Sequence, residues 1–82
     1  MVFEPYYAAY VADLAMAGAE PVFVPLRLQE DGTITFDPVE LARACDGARA
    51  ILINTPHIPT GKVFSREELG VISSVAIEQD LI

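Results

Sequence analysis

Ala50-Ile51-Leu52-Ile53-Asn54-Thr55-Pro56-His57-Ile58-Pro59-Thr60-Gly61-Lys62-Val63 decides the fold class of this chain. Ala50 to Ile53 is a short apolar run, rich in branched residues, of the length and character of a strand buried on both faces of a parallel sheet. The predicted strand runs from Ala50 to Asn54. Pro56 and Pro59 follow, and each fixes φ and removes an amide donor, so neither a ladder nor a helix can continue. Ser65 then opens a helical pattern, with Glu68 three residues on as its capping-box partner. A strand, a rigid loop and a helix in that order place loop groups at the carboxyl end of a parallel strand, where open α/β sheets bind ligands.

Upstream, Val2 and Phe3 read as the last residues of a strand that Glu4-Pro5 closes. Tyr7, Tyr10, Val11 and Leu14 recur at helical spacing and predict a helix over Tyr7 to Ala17, with Gly18 as its stop. Pro21 to Leu26 reads as a second strand. Arg27 to Gly32 is polar with a turn signal at Asp31-Gly32, and Thr33 to Phe36 is a short candidate edge strand. Asp37 is the expected N-cap of a helix over Pro38 to Cys45, with Pro38 at N1 and Glu40 at N3. A third helix is expected from Arg66 to about Gln79, its apolar stripe formed by Leu69, Ile72, Val75 and Ala76. Leu81-Ile82 has the character of a strand beginning. Strands alternating with helices indicate βαβ units around a parallel sheet, and neither end of the chain reads as a domain boundary.

Composition narrows the function classes. Hydrophobic residues make up 52% of 82 positions, and mean hydropathy is +0.37. So small a domain has little interior to hold them, so the expectation is apolar faces meant for neighbours. No run reaches the roughly 20 apolar residues of a membrane span. The net charge of −7, from 12 acidic and 5 basic residues, argues against nucleic acid. The single cysteine, Cys45, cannot form an internal disulfide. It is expected to be a buried thiol in a reducing cytoplasm. His57 has no second histidine or nearby cysteine, so no metal site is expected. Gly61-Lys62 fails as a phosphate loop, because Pro56 stands where its first glycine belongs and Val63 where Ser or Thr belongs.

Asn54-Thr55-Pro56-His57-Ile58-Pro59-Thr60-Gly61-Lys62-Val63-Phe64-Ser65-Arg66-Glu67-Glu68-Leu69 resembles a segment of the class I/II aminotransferases, fold-type-I enzymes that use pyridoxal 5'-phosphate (PLP). Within them it is similar to the kynurenine and methionine aminotransferase branch. The resemblance runs from Glu4-Pro5-Tyr6-Tyr7 to Asp80-Leu81-Ile82. It implies an α/β, three-layer, parallel-sheet piece of the large PLP-binding domain, with residues 1–82 a partial domain truncated at both ends. It also implies a homodimeric parent that moves an amino group from an amino acid to a 2-oxo acid.

The resemblance assigns three cofactor-binding positions. Tyr7 matches an aromatic that stacks on the PLP ring; read from the sequence alone, it is the first core residue of an amphipathic helix. Asn54 matches an asparagine near the substrate and the cofactor's edge; it reads equally as a strand-end residue bonding its own loop. Ile58 stands where the family carries an asparagine that donates to the cofactor's phenolic oxygen, and isoleucine has no donor. No catalytic residue is assigned. Lys62 is the only lysine, but it matches a lysine other than the one that forms the Schiff base, and nothing in the sequence points to its burial. The chain is therefore expected to bind no PLP and to be inactive alone. The alternative is a stand-alone, non-catalytic α/β interaction module or a decayed gene product.

Overall fold

A computed structural model describes all residues from Met1 to Ile82. The elements in order are β1 (Val2–Glu4), α1 (Ala9–Met16), β2 (Phe23–Pro25), β3 (Arg27–Leu28), β4 (Ile34–Thr35), α2 (Pro38–Cys45) and α3 (Arg66–Glu78). β1 and β2 pair in parallel, with Phe3 opposite Val24. Pro5 follows β1 directly and has no amide to donate, so this ladder ends at Glu4 and Pro25.

The predicted Ala50–Asn54 strand is reduced to a single parallel bridge, Val2 to Leu52. Leu52 N–H donates to the Met1 carbonyl at 3.0 Å. On its other side Ile51 donates to Ile82 at 2.8 Å, and Ile82 donates to Arg49 at 3.1 Å. These two bonds flank Ala50 in the pattern of a parallel pair. The run therefore lies between Met1-Val2 and Ile82 as expected. Its ladder goes no further than Leu52, although the Val2–Leu52 register sets Phe3 and Glu4 of β1 level with Ile53 and Asn54. Burial on both faces is not reached either: Ile51 and Leu52 are half-buried and Ile53 is exposed.

One face of the sheet carries the core. Phe3, Val24, Leu26, Phe36, Leu41, Cys45, Phe64, Ile72 and Val75 form one cluster under α2 and α3. Phe3 packs against Phe36 and Phe64, with ring centroids 5.2 and 5.3 Å apart. The side-chain amide of Gln79 donates to the Ala42 carbonyl at 2.9 Å and joins the two helices. Val2, one residue from Phe3, must point to the other face of the sheet. There it shares a depression with Leu14 of α1 and Leu52, which makes three layers. Cys45 is fully buried, and burial pushes its thiol pKa up, as suits an inert structural cysteine.

Helix ends follow the sequence closely. The Asp37 carboxylate accepts from the amides of Val39 and Glu40, and Pro38 opens α2. Glu40 does not complete a capping box, because its carboxylate is bound instead by both guanidinium amines of Arg27. Ser65 and Glu68 do form the full capping box of α3. α1 closes at Gly18 (φ 71°), with Ala19 donating to Leu14 and Gly18 to Ala15, the Schellman arrangement. β3 was not foreseen. Arg27 and Leu28 pair antiparallel with Thr35 and Ile34, because the turn at Asp31-Gly32 folds the polar segment back on itself. Asp31 Oδ1 caps that turn by accepting from the Thr33 amide and hydroxyl.

Candidate functional site

β1 and the Ala50–Leu52 run are parallel neighbours, so the segments that leave them, Pro5 to Ala8 and Asn54 to Val63, emerge at the same end of the sheet. Tyr6 lies against Phe23 in a near-parallel stack, with centroids 5.1 Å apart, and anchors the exit from β1. Tyr7 is then directed outward. It is 50% exposed and touches Tyr10 edge-on, with centroids 5.6 Å apart. The reading of Tyr7 as the first core residue of α1 is therefore overturned; α1 has no buried residue at all.

The loop after Leu52 is rigid for reasons beyond its prolines. Asn54 Nδ2 donates to the Pro56 carbonyl at 3.3 Å, the local loop bond that was one of its two sequence readings. Thr55 Oγ1 accepts from the Phe64 amide at 3.3 Å. His57 N–H donates to Lys62 O at 2.7 Å, and Gly61 N–H donates to His57 O at 2.6 Å. Gly61 sits at φ 74°, where a side chain would be strained. The His57 ring is buried, shares a hydrogen bond with Thr60 Oγ1 at 2.7 Å and stands edge-on to Phe64. Burial, and secondarily the charge of Lys62, lower its pKa, so it is held neutral. Ile58, by contrast, is 54% exposed, on the outside of the loop.

Lys62 is the residue that sequence reasoning misjudged. It was expected in an open loop, yet only 8% of its side chain is exposed. Its ammonium donates to Ile34 O at 2.5 Å and to Glu68 Oε1 and Oε2 at 2.8 and 2.9 Å. Burial by itself would raise the Glu68 pKa. The hydrogen bond from Lys62, the Ser65 amide and the Lys62 charge outweigh it, and the net shift is downward. A lysine three residues before an N-cap serine whose N3 residue is glutamate was the available signal. The groove beside this pair, lined by Thr33, Ile34, Thr60 and Lys62, includes none of Tyr7, Asn54 or Ile58.

These residues fit PLP in part. The open Tyr7 ring offers a flat face to a flat cofactor, and Asn54 brings an amide to the same end of the sheet. No free amine is offered for the aldehyde carbon, since Lys62 is fully engaged, and no basic group among the residues named faces the phosphate.

The profile of the aminotransferase class I and II family matches residues 1–82, the whole chain. The chain belongs to that family. It is 42% identical over 90 residues to kynurenine–oxoglutarate transaminase 3 of Rattus norvegicus, with all of this chain and 20% of that protein aligned. N-Succinyldiaminopimelate aminotransferase from Mycobacterium tuberculosis superposes with a TM-score of 0.90 at 40% identity, covering 99% of this chain and 21% of the other. A PLP-bound putative aminotransferase from Clostridium difficile shares the fold at a TM-score of 0.90 and 21% identity, with the same 99% and 21% covered. The chain thus spans about a fifth of the length of the relatives it matches.

Proposed function

We propose that residues 1–82 form one wall of the PLP site in the large domain of an aminotransferase. The whole protein would transfer an amino group from an amino acid to a 2-oxo acid. The observation that carries this reading is the exposed Tyr7 ring at the same sheet end as the Asn54–Val63 loop, in a chain of the aminotransferase class I and II family. Bound PLP supplies an electron sink for chemistry at the amino acid's α-carbon. In this reading Tyr7 packs against the cofactor ring, and Asn54 lies at its edge. Ile58 puts an apolar group where the family carries a donor. The name of the rat relative points to kynurenine and 2-oxoglutarate as the first substrates to try. The reading extends to a homodimeric cytoplasmic parent that binds neither nucleic acid nor membrane. The acidic net charge supports the first exclusion, and no helix is long and apolar enough to cross a membrane.

Alone, residues 1–82 do not complete a catalyst, because a transaminase needs an activated lysine and the only lysine here is tied to Glu68 and Ile34. The test has two arms. The 82-residue chain, treated with stoichiometric PLP and borohydride and then peptide-mapped, is expected to show no stoichiometric label at Lys62 and no turnover in a coupled assay. The whole reading frame that contains these residues is expected to bind PLP and turn over. In it, Tyr7→Ala should weaken PLP several-fold, from the roughly 0.5–1.5 kcal/mol of an aromatic stack, and Ile58→Asn should raise turnover. A whole frame that binds no PLP would overturn the reading in favour of a non-catalytic module.

A further inference from the structure

We infer that Lys62 is a positioning residue: its buried ammonium locks the Asn54–Val63 loop simultaneously to the β3–β4 hairpin and to the start of α3. The loop's own bonds close it into a ring, and Thr55 Oγ1 ties it to the adjoining Phe64 amide, but none of these bonds reaches the β3–β4 hairpin or α3. His57 and Gly61 bond to Lys62 and His57, and Thr60 serves His57 and Lys62. The attachments to those two elements come from one side chain. Lys62 Nζ reaches Ile34 O in β4 and both carboxylate oxygens of Glu68 in α3, which uses all three of its donor directions. It also lies 5.0 Å from the centroid of the Phe64 ring, within range of a cation–π contact. Glu68 is itself fixed from behind, since Oε2 accepts from the Ser65 amide at 2.8 Å and the Glu68 amide donates to Ser65 Oγ at 3.1 Å. The capping box of α3 thereby becomes the far anchor of the loop.

Two alternatives for Lys62 fail on this geometry. It is not a solvated charge, because its side chain is 8% exposed. Nor is it an apolar filler, because a methylene stem satisfies neither the Ile34 carbonyl nor the Glu68 carboxylate. A buried pair broken on one side leaves an uncompensated charge, so the lock is specific to a cation at this position. The inference concerns the loop's attachment and does not rest on cofactor binding. The cofactor reading supplies its consequence, which is that the loop's place fixes Asn54 and Ile58.

The test is site-resolved amide hydrogen exchange on the 82-residue chain without PLP, so that failure of the cofactor reading leaves it untouched. Lys62→Met keeps the stem and removes the charge. The His57 and Gly61 amides are expected to exchange at least about tenfold faster, while Val24 and Val75 in the core change little. Lys62→Arg retains the cation and can fork onto Glu68, so it should keep loop protection within about threefold of the parent. Glu68→Gln preserves the capping-box acceptor while removing the negative charge. It should loosen the same amides to a smaller degree, and it carries the test if Lys62→Met fails to fold. The inference is overturned if Lys62→Met (or Glu68→Gln in its place) leaves the loop amides unchanged, or if loop and core amides accelerate together.

Discussion

α1 is more apolar in sequence than the loop–α3 junction, yet it is the less firmly held of the two. The junction is tied by side chains at every step: Thr55 to Phe64, His57 to Thr60, Lys62 to Glu68, and Ser65 to Glu68. Phe64 plugs it into the core at 4% exposure. α1 has no side-chain cap, no acidic residue in its first turn and no buried residue. Its one specific end structure is the Gly18 turn. Apolar spacing alone therefore does not seat a helix. A helix is seated when polar groups at its ends and a large side chain at its foot have partners in the same chain.

Three outcomes would break or sharpen that contrast. The largest effect belongs to Phe64→Ala. It empties a site shared by Phe3, Phe36 and His57 and is expected to cost about 3–5 kcal/mol. In a chain of this size that removes most of the stability, so far-UV circular dichroism should show an unfolded chain at 25 °C. A folded Phe64→Ala variant would mean the junction is not the foot of the core.

Acid comes second. His57 has a lowered folded pKa, so protonation favours the unfolded chain, and stability should fall as pH drops below about 6.5, the unfolded histidine value. Glu68 also has a lowered folded pKa. Its contribution is fully present above about pH 4.5 and is lost as pH falls through the lower folded value. Both therefore act in the same direction. Asp31 and Glu40 are shifted down too, but they are exposed and add little. The urea midpoint should decline in two stages on acidification, and His57→Gln should flatten only the upper one. A single-stage decline in both proteins would remove His57 from the account.

The smallest effect is expected in α1. Met16 is 87% exposed, and Met16→Ser should change the unfolding free energy by less than about 0.5 kcal/mol. A loss above 1 kcal/mol would show that α1 is seated more firmly than its burial indicates. The comparison of Met16→Ser with Phe64→Ala in one denaturant series gives the contrast directly.

How much of this was legible in the chain differs by element. α2 and the start of α3 could be read to the residue, because Asp37-Pro38 and Ser65 with Glu68 are local signals whose partners lie within four positions. The α/β class was legible from the alternation of apolar runs with helical stripes. The Ala50–Asn54 strand was half legible: its place in the sheet followed from its composition, while its reduction to a single bridge did not, because that pairing is made with Val2, far away in the sequence. β3 was not legible, since Arg27-Leu28 has no strand character until the Asp31-Gly32 turn brings Ile34-Thr35 beside it.

The candidate site divides along the same line. The sequence by itself determined which chemical groups lie at this sheet end: an aromatic at Tyr7, an amide at Asn54 and an apolar side chain at Ile58. These follow from residue identity and from short motifs. Only the tertiary structure decided what each group is free to do. Tyr6 takes the stacking place on Phe23, which leaves Tyr7 open. The hairpin delivers the Ile34 carbonyl to Lys62 across 28 residues and turns a loop lysine into a buried anchor. The physical reason is that capping and turn formation cost only local ordering and are encoded locally. Burial of a charge depends on distant acceptors meeting it at hydrogen-bonding distance, and no local pattern records that meeting.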